Sequence, residues 1–474
     1  MKRYLKRINL FALCIAVLMS VVCTGLSFQT YASAYDSDDR FSDIDKYLDT
    51  CAKNAHIPAL AVSITDSENT LFSACYGECE SCDTPFVLGS VSKSFTAVCI
   101  MKLAEQGKLS LDDKVSAYLP DAADGDRITV SQLLNHSGGL GEHQTLENCH
   151  IINDQGVHNY ANVNYSLLGR IIECVSGETF ESYVSKNVLA PLEMSHTAAS
   201  YEKSMENGLT DGYTDHWGFS VRRDHRYPGS DSAWITVPAG YMSSSVNDLA
   251  RYLRMYLSGG KGVISEQSIE QMFYGDTVYV EDDVPFWYGY GWATVREPLP
   301  EPVLRHSGLV ETGTSCVFII PGKDIGVAFT ANVNDYFVTN EMMDSIGWGV
   351  ILMLLGEAPN EIPAGAYILE HIRIDLIMLA VLLASVIPFC MIPAFGKRLA
   401  RKKYISAVVD TVILNIAFPT FILLIVPLFF RTPLWVAEAF VPDVFITVIV
   451  SSALLFLCGA IKVIMLMRMI IKQR

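Results

Sequence analysis

A serine followed three residues later by a lysine, Ser90-Val91-Ser92-Lys93, is the first pair in this chain whose spacing could do chemistry. On a helix, residues three apart share a face, so Lys93 would set its amine beside the Ser90 hydroxyl. Serine attacks a carbonyl only when a neighbour takes its proton. Lysine can be that neighbour once burial or a second cation lowers its pKa toward neutrality. A helix start adds free N–H groups and the positive end of a dipole, which favour the charge that develops on an attacked carbonyl oxygen. Taken alone, the same tetrad also reads as an ordinary capped surface helix.

Two later stretches carry groups that would complete such a site. Tyr160-Ala161-Asn162 stands in a loop before the amphipathic pattern that runs through Leu167, Leu168, Ile171 and Ile172. A tyrosine near a lysine can share its proton and serve as base and then acid. Asn162 could hold the Lys93 amine and a substrate amide together. Farther on, Leu304-Arg305-His306-Ser307-Gly308-Leu309 precedes two strand patterns. A strand edge reading His-x-Gly lets a backbone N–H approach a substrate oxygen while a polar ring faces the cleft. His136, before Gly138-Gly139, is expected to stabilise a loop. His143, Cys149, His150 and His158 lack a regular ligand spacing, so no metal site is expected there.

The elements that must position these groups can be read from periodicity. Phe41 to Ala55 has a helical pattern, and Ala59–Thr65 and Thr70–Tyr76 read as two strands joined by a polar turn. The pattern after Ser90 is apolar nearly all round as far as Gly107, as suits a helix at the centre of a domain. Ser315–Ile320 and Ile325–Ala331 read as late strands around Pro321-Gly322.

The chain has 474 residues, half of them hydrophobic, and a mean hydropathy of +0.28. That fits a soluble domain joined to membrane segments. Residues 1–34 carry Lys2, Arg3, Lys6 and Arg7, an apolar run and Ala32-Ser33-Ala34, the form of a secretory signal or an uncleaved anchor. Residues 35–365 then form the outer domain, and 366–474 a membrane region with three apolar runs near 376–395, 405–430 and 444–466. The basic cluster Lys397–Lys403 and the basic C-terminus place those ends in the cytoplasm, so the outer domain faces the extracytoplasmic side. Asp410 and Lys462 lie within the apolar runs, where snorkelling to the interface is the expectation and mutual pairing the alternative. Between the flanks stand 20 basic and 47 acidic side chains, which argues against nucleic acid as a partner. Of 12 cysteines, eight lie in the outer region, and Cys75, Cys79 and Cys82 suggest a loop disulfide.

Read together, Ser90-Val91-Ser92-Lys93, Tyr160-Ala161-Asn162 and His306-Ser307-Gly308 resemble the serine β-lactamase and penicillin-binding-protein superfamily, in its class C and D-alanyl-D-alanine carboxypeptidase-like branch. The resemblance covers roughly Ile57 to Asn332. It implies an α+β fold, an antiparallel sheet built from both ends of the outer region and flanked by helices, with a helical subdomain inserted between. It also implies that Ser90 is acylated, that Lys93 and Tyr160 move the proton, and that Asn162 orients the acyl amide. His306 would bind a substrate carboxylate or assist proton transfer, and the N–H groups of Ser90 and Leu309, set by Gly308, would form the oxyanion hole. No metal or organic cofactor is needed for this chemistry. Substrates would be a D-amino-acid peptide, such as one from peptidoglycan, a β-lactam or an ester; the alternatives are a small-substrate esterase and a ligand-binding membrane sensor. Neither the acyl donor nor the oligomeric state follows. The link from Leu140 to Tyr160 is shorter than in such relatives, which leaves the cleft more open or its wall rebuilt.

Overall fold

The computed structural model describes residues 39–472 apart from 229, 282 and 430–432. The apolar N-terminal run, residues 1–34, lies outside the described residues. Eight strands form one antiparallel sheet: β1 (Ala59–Thr65), β2 (Thr70–Gly77), β3 (Thr277–Glu281), β4 (Val284–Tyr288), β5 (Ala293–Val295), β6 (Val303–Val310), β7 (Gly313–Ile320) and β8 (Ile325–Ala331). Their spatial order is β2-β1-β8-β7-β6-β5-β4-β3. The two ends of the outer region therefore meet at the β1–β8 pair, where Val62 stands opposite Phe329.

Both faces of this sheet are covered, which is why β1, β7 and β8 are buried along their whole length. Alternation assigns each side chain to a face. Val327 and Phe329 point into a core closed by α1 (Arg40–Asn54) and by Ile346 and Val350 of the late helix Thr339–Leu355. Ala328, Val317 and Ile319 point to the opposite face, against Leu249 and Leu253 of the helix Val246–Leu257 and against α2 (Ser92–Glu105). Every α2 residue from Ser92 to Met101 is buried. A helix enclosed on all sides has little amphipathic character, in agreement with its sequence pattern.

The helical part lies between β2 and β3 in the chain. It includes α3 (Asn162–Ser176), which packs on α2 and on the short helix Val237–Gly240. After the sheet, three helices are long and apolar enough to cross a membrane: Ala366–Ala400, Tyr404–Leu424 and Pro442–Ile471. The first begins at Ala366, immediately after Gly365 in the left-handed region. It extends ten residues N-terminal of the apolar run, where Tyr367 and His371 dock against Asp215, Gly218 and Asp335.

Lys462 does not snorkel. It is wholly buried, with Nζ 3.1 Å from Asp410 Oδ2 and 2.8 Å from Asn415 Oδ1. Arg398 adds a second cation to Asp410 at 3.4 Å. Burial removes the water a snorkelling lysine would need, so pairing wins. The cysteines among the described residues are free thiols; Cys75 and Cys82 approach to 2.9 Å, while Cys79 faces the Ser81 carbonyl.

Candidate active site

Ser90 sits in a single 3-10 turn, Gly89–Val91, that runs directly into α2. This continuation puts Lys93 one turn on and on the same face. Its Nζ lies 2.9 Å from Ser90 Oγ, 2.7 Å from Asn162 Oδ1 and 2.7 Å from the Ala239 carbonyl oxygen. Lys93 is completely buried, and loss of water pushes its pKa well below the ordinary lysine value. A neutral amine has two N–H donors and one lone pair. Asn162 Oδ1 and the Ala239 carbonyl can only accept, so they take the two hydrogens. The lone pair is then left for the third partner, the Ser90 hydroxyl. The geometry thus sets Lys93 as a proton acceptor for the serine.

Tyr160 closes the same group from the other side. Lys93 Nζ lies 4.8 Å from the centre of its ring. Burial raises the pKa of the phenol, and the hydrogen bond with Ser90 opposes that rise without overcoming it. Tyr160 therefore keeps its proton at neutral pH, and burial acts on the two candidate bases in complementary ways, favouring a neutral amine on Lys93 and a protonated phenol on Tyr160. The ring packs on His136, 4.3 Å between centres. His136 has φ +59° and its Nδ1 accepts from the Asn164 side chain at 2.8 Å and from the Ala161 N–H at 3.3 Å. The loop-stabilising role expected for His136 holds, and its beneficiary is the Tyr160–Asn162 corner.

Strand β6 approaches the nucleophile turn closely enough to exclude any side chain at two positions. A Cβ on Gly308 would stand 1.9 Å from the Leu88 carbonyl oxygen and 2.9 Å from the Ser90 nitrogen. One on Gly89, where φ is +53°, would stand 2.3 Å from the Leu309 nitrogen. Glycine is required at both. The consequence is that the Ser90 and Leu309 amides lie side by side, both half-buried, where two N–H groups can converge on one oxygen. Ser315 holds the approach with a 2.6 Å hydrogen bond to the Leu88 carbonyl.

His306 is buried on β6, with Nε2 2.9 Å from the Tyr288 hydroxyl and Nδ1 2.8 Å from the Ser307 carbonyl. Burial is the main cause of a pKa pushed down to about 3, with nearby Lys93 acting in the same direction. At neutral pH it is an uncharged ring. Sequence reasoning missed the Ala239 carbonyl, because a backbone acceptor leaves no residue-type signal, and it gave Tyr288 no role in the site.

The surroundings of the site also have an unexpected source. In the Leu140–Tyr160 link, Leu140 and Ile151 form a single bridge. Glu142 accepts from Trp234 Nε1 through its carbonyl at 2.7 Å, and its side chain is close enough to Tyr160 to raise that phenol's pKa. Against Trp234 lies α4 (Leu434–Phe440), the segment between the second and third apolar helices. Trp435 stands 5.5 Å and Phe440 5.8 Å from Trp234, ring centre to ring centre. Arg223 donates to the Ala439 carbonyl at 2.9 Å, and Asn334 to the Phe440 carbonyl at 3.1 Å. The link thus packs on Trp234, and Trp234 packs in turn on the C-terminal region.

A serine at a helix start, a buried amine beside it and two neighbouring amides are the groups that a serine acyl-transfer site on an α+β fold requires. The family model described as Beta-lactamase matches residues 44–344, and the chain belongs to that family. Protein flp of Staphylococcus aureus (strain N315) is 25% identical over 333 residues, 64% of this chain and 65% of that protein. The chain thus spans just under two thirds of that relative's length. The putative penicillin-binding protein PbpX of Bacillus subtilis (strain 168) is 36% identical over 212 residues, 40% of this chain and 50% of that protein. Among solved structures, the octameric penicillin-binding protein homologue from Pyrococcus abyssi matches with a TM-score of 0.59 at 28% identity, covering 69% of this chain and 80% of that one. A D-stereospecific amidohydrolase from Streptomyces sp. shares the fold, with a TM-score of 0.52 at 20% identity over 66% of this chain and 97% of that one.

Proposed function

We propose that this chain is a membrane-anchored serine hydrolase whose outer domain forms an acyl-enzyme on Ser90 and faces the extracytoplasmic side. The observation that carries the reading is the 2.9 Å contact between Ser90 Oγ and the wholly buried Lys93 Nζ. In acylation, the Ser90 proton passes to Lys93 as Oγ bonds to the carbonyl carbon. The Ser90 and Leu309 amides hold the oxyanion. Collapse breaks the acyl bond, and Tyr160 gives its proton to the leaving group and is refilled from the Lys93 ammonium. Water, activated by the same pair, then releases the acyl group. Asn162 keeps the amine in place and orients the acyl amide.

The substrates proposed are a D-amino-acid peptide, a β-lactam or an ester. A specific observation favours a second reading, an esterase for small neutral substrates. His306, in the place where a cation would meet a substrate carboxylate, is uncharged and occupied by Tyr288. One experiment tests both. Membranes carrying the full chain or Ser90→Ala are treated with a fluorescent penicillin, and D-alanine release and ester cleavage are assayed on the purified protein. Labelling lost in Ser90→Ala supports the acyl-enzyme. Ester turnover without labelling or D-alanine release selects the esterase, and activity unchanged in Ser90→Ala removes the mechanism.

A further inference from the structure

Away from Ser90, buried carboxylates and one imidazole from both parts of the chain converge on a single small void. Asp215 lies on the strand Gly212–His216, and Asp335 directly follows the strand Val333–Asn334. His371 stands in the second turn of the first apolar helix and Asp443 in the first turn of the third. All four are more than nine-tenths buried. They line a void of about 10 Å³, large enough for one small ion or water.

The pairing inside the cluster is incomplete in a particular way. His371 Nε2 lies 3.0 Å from Asp335 Oδ2, which also accepts from the Thr339 N–H and hydroxyl, each at 2.9 Å. These three hydrogen bonds fix the carboxylate and the orientation of the ring. The other ring nitrogen, Nδ1, has no hydrogen-bond partner among the described residues; it faces Asp215 Oδ2 at 3.9 Å. Among the described residues, no lysine or arginine is ion-paired with Asp215, Asp335 or Asp443. Three buried carboxylates around one imidazole are costly. One ligand atom each from Asp215, Asp335 and His371 lie within 4.8 Å of one another. Metal bonds of about 2.0–2.2 Å are reached from such a spacing when each ligand atom moves inward by up to about 0.7 Å.

The geometry points to a divalent transition-metal site formed by His371, Asp215 and Asp335, with Asp443 beside it, that fastens the hydrolase domain to the first and third apolar helices. The mixed imidazole and carboxylate set suits Zn²⁺ or Mn²⁺ rather than Mg²⁺. Two aspartates and a neutral histidine balance the ion's charge. The metal's role is structural, since none of Ser90, Lys93, Tyr160 and Asn162 lines the void. Binding in the folded state alone stabilises that state by mass action.

The test uses the full chain purified in detergent without chelators. Elemental analysis after equilibration with Zn²⁺ or Mn²⁺ and desalting is expected to give about one ion per chain. Stripping with a strong chelator should lower the Tm by about 5 °C or more, and Zn²⁺ or Mn²⁺ but not Mg²⁺ should restore it. His371→Gln and Asp215→Asn should lose the ion, whereas Ser90→Ala should keep it. If those variants fail to fold, the wild-type stoichiometry and Tm restoration decide alone. Less than about 0.1 ion per chain with no Tm response, or a response to Mg²⁺ or Ca²⁺ only, overturns the site. An ion that is retained by both variants does so as well.

Discussion

Asn162 Oδ1 lies 2.7 Å from Lys93 Nζ and accepts one of its two hydrogens, which turns the amine's lone pair toward Ser90. The neutral amide can do this without charging the lysine. Asn162→Asp places a carboxylate in the same contact, which favours the ammonium form and raises the Lys93 pKa. In the native protein burial lowers the Lys93 pKa, which favours the neutral amine. In Asn162→Asp the acid limb of the acylation rate should move to higher pH, and the rate at pH 7 should fall by about 10²-fold or more. A rate profile against pH checks this. An unmoved limb would remove Lys93 as the base.

Gly308→Ala tests the oxyanion hole while leaving the Ser90 hydroxyl and the Lys93 amine chemically unchanged. Its Cβ would meet the Leu88 carbonyl oxygen at 1.9 Å, so β6 must withdraw from the Ser90 turn. Acylation should drop by about 10²–10³-fold, the loss seen when one oxyanion donor is misplaced. Circular dichroism should remain that of a folded chain. Full acylation in Gly308→Ala would count against the Ser90 and Leu309 amides as the donors.

Acid should weaken the outer domain through its buried rings. His306 and His158 have pKa values pushed down by burial to about 3 and about 4, against about 6.5 in an unfolded chain. The unfolded state therefore binds more protons in the window between those values. Stability falls as pH drops from about 6.5 toward 4, by about 1.4 kcal/mol per pH unit for each ring. His306→Gln, which cannot charge, should flatten that slope by one ring's share in a Tm series against pH. An identical slope in His306→Gln would refute the assignment.

The Lys462–Asp410 pair should show the asymmetry of buried charges. Lys462→Met leaves Asp410 with only the 3.4 Å contact to Arg398, in an apolar bundle. The cost should be about 3–5 kcal/mol, read as lost thermal stability or expression. The double variant Lys462→Met/Asp410→Leu should recover most of that loss. Equal behaviour of single and double variants would show that the pair carries no such coupling.

How much of this was legible in the chain depended on distance along it. Ser90, Lys93, Asn162 and the strands β1, β7 and β8 follow local periods, and their boundaries agree with the pattern within a residue or two. The fold class followed from the order of three motifs. What no local pattern carried was the set of contacts made across the fold. The Ala239 carbonyl at Lys93, the ring of His136 under Tyr160 and the Asp215–Asp335–His371 cluster each join residues that the sequence separates widely. Lys462 was misjudged for the same reason: hydropathy places a lysine in a span but does not show the aspartate on the next helix.

The docking of α4 on Trp234 and Arg223 has a temporal consequence. A chain is synthesised from its N-terminus, so Ser90, Lys93 and Tyr160 can come together long before Trp435 and Phe440 exist. Those two residues reach Trp234 only when the helices on either side of them, Tyr404–Leu424 and Pro442–Ile471, have been placed. The surroundings of the site are thus finished last, by the apolar C-terminal helices and the segment between them, so the site is completed only when that region has folded against it.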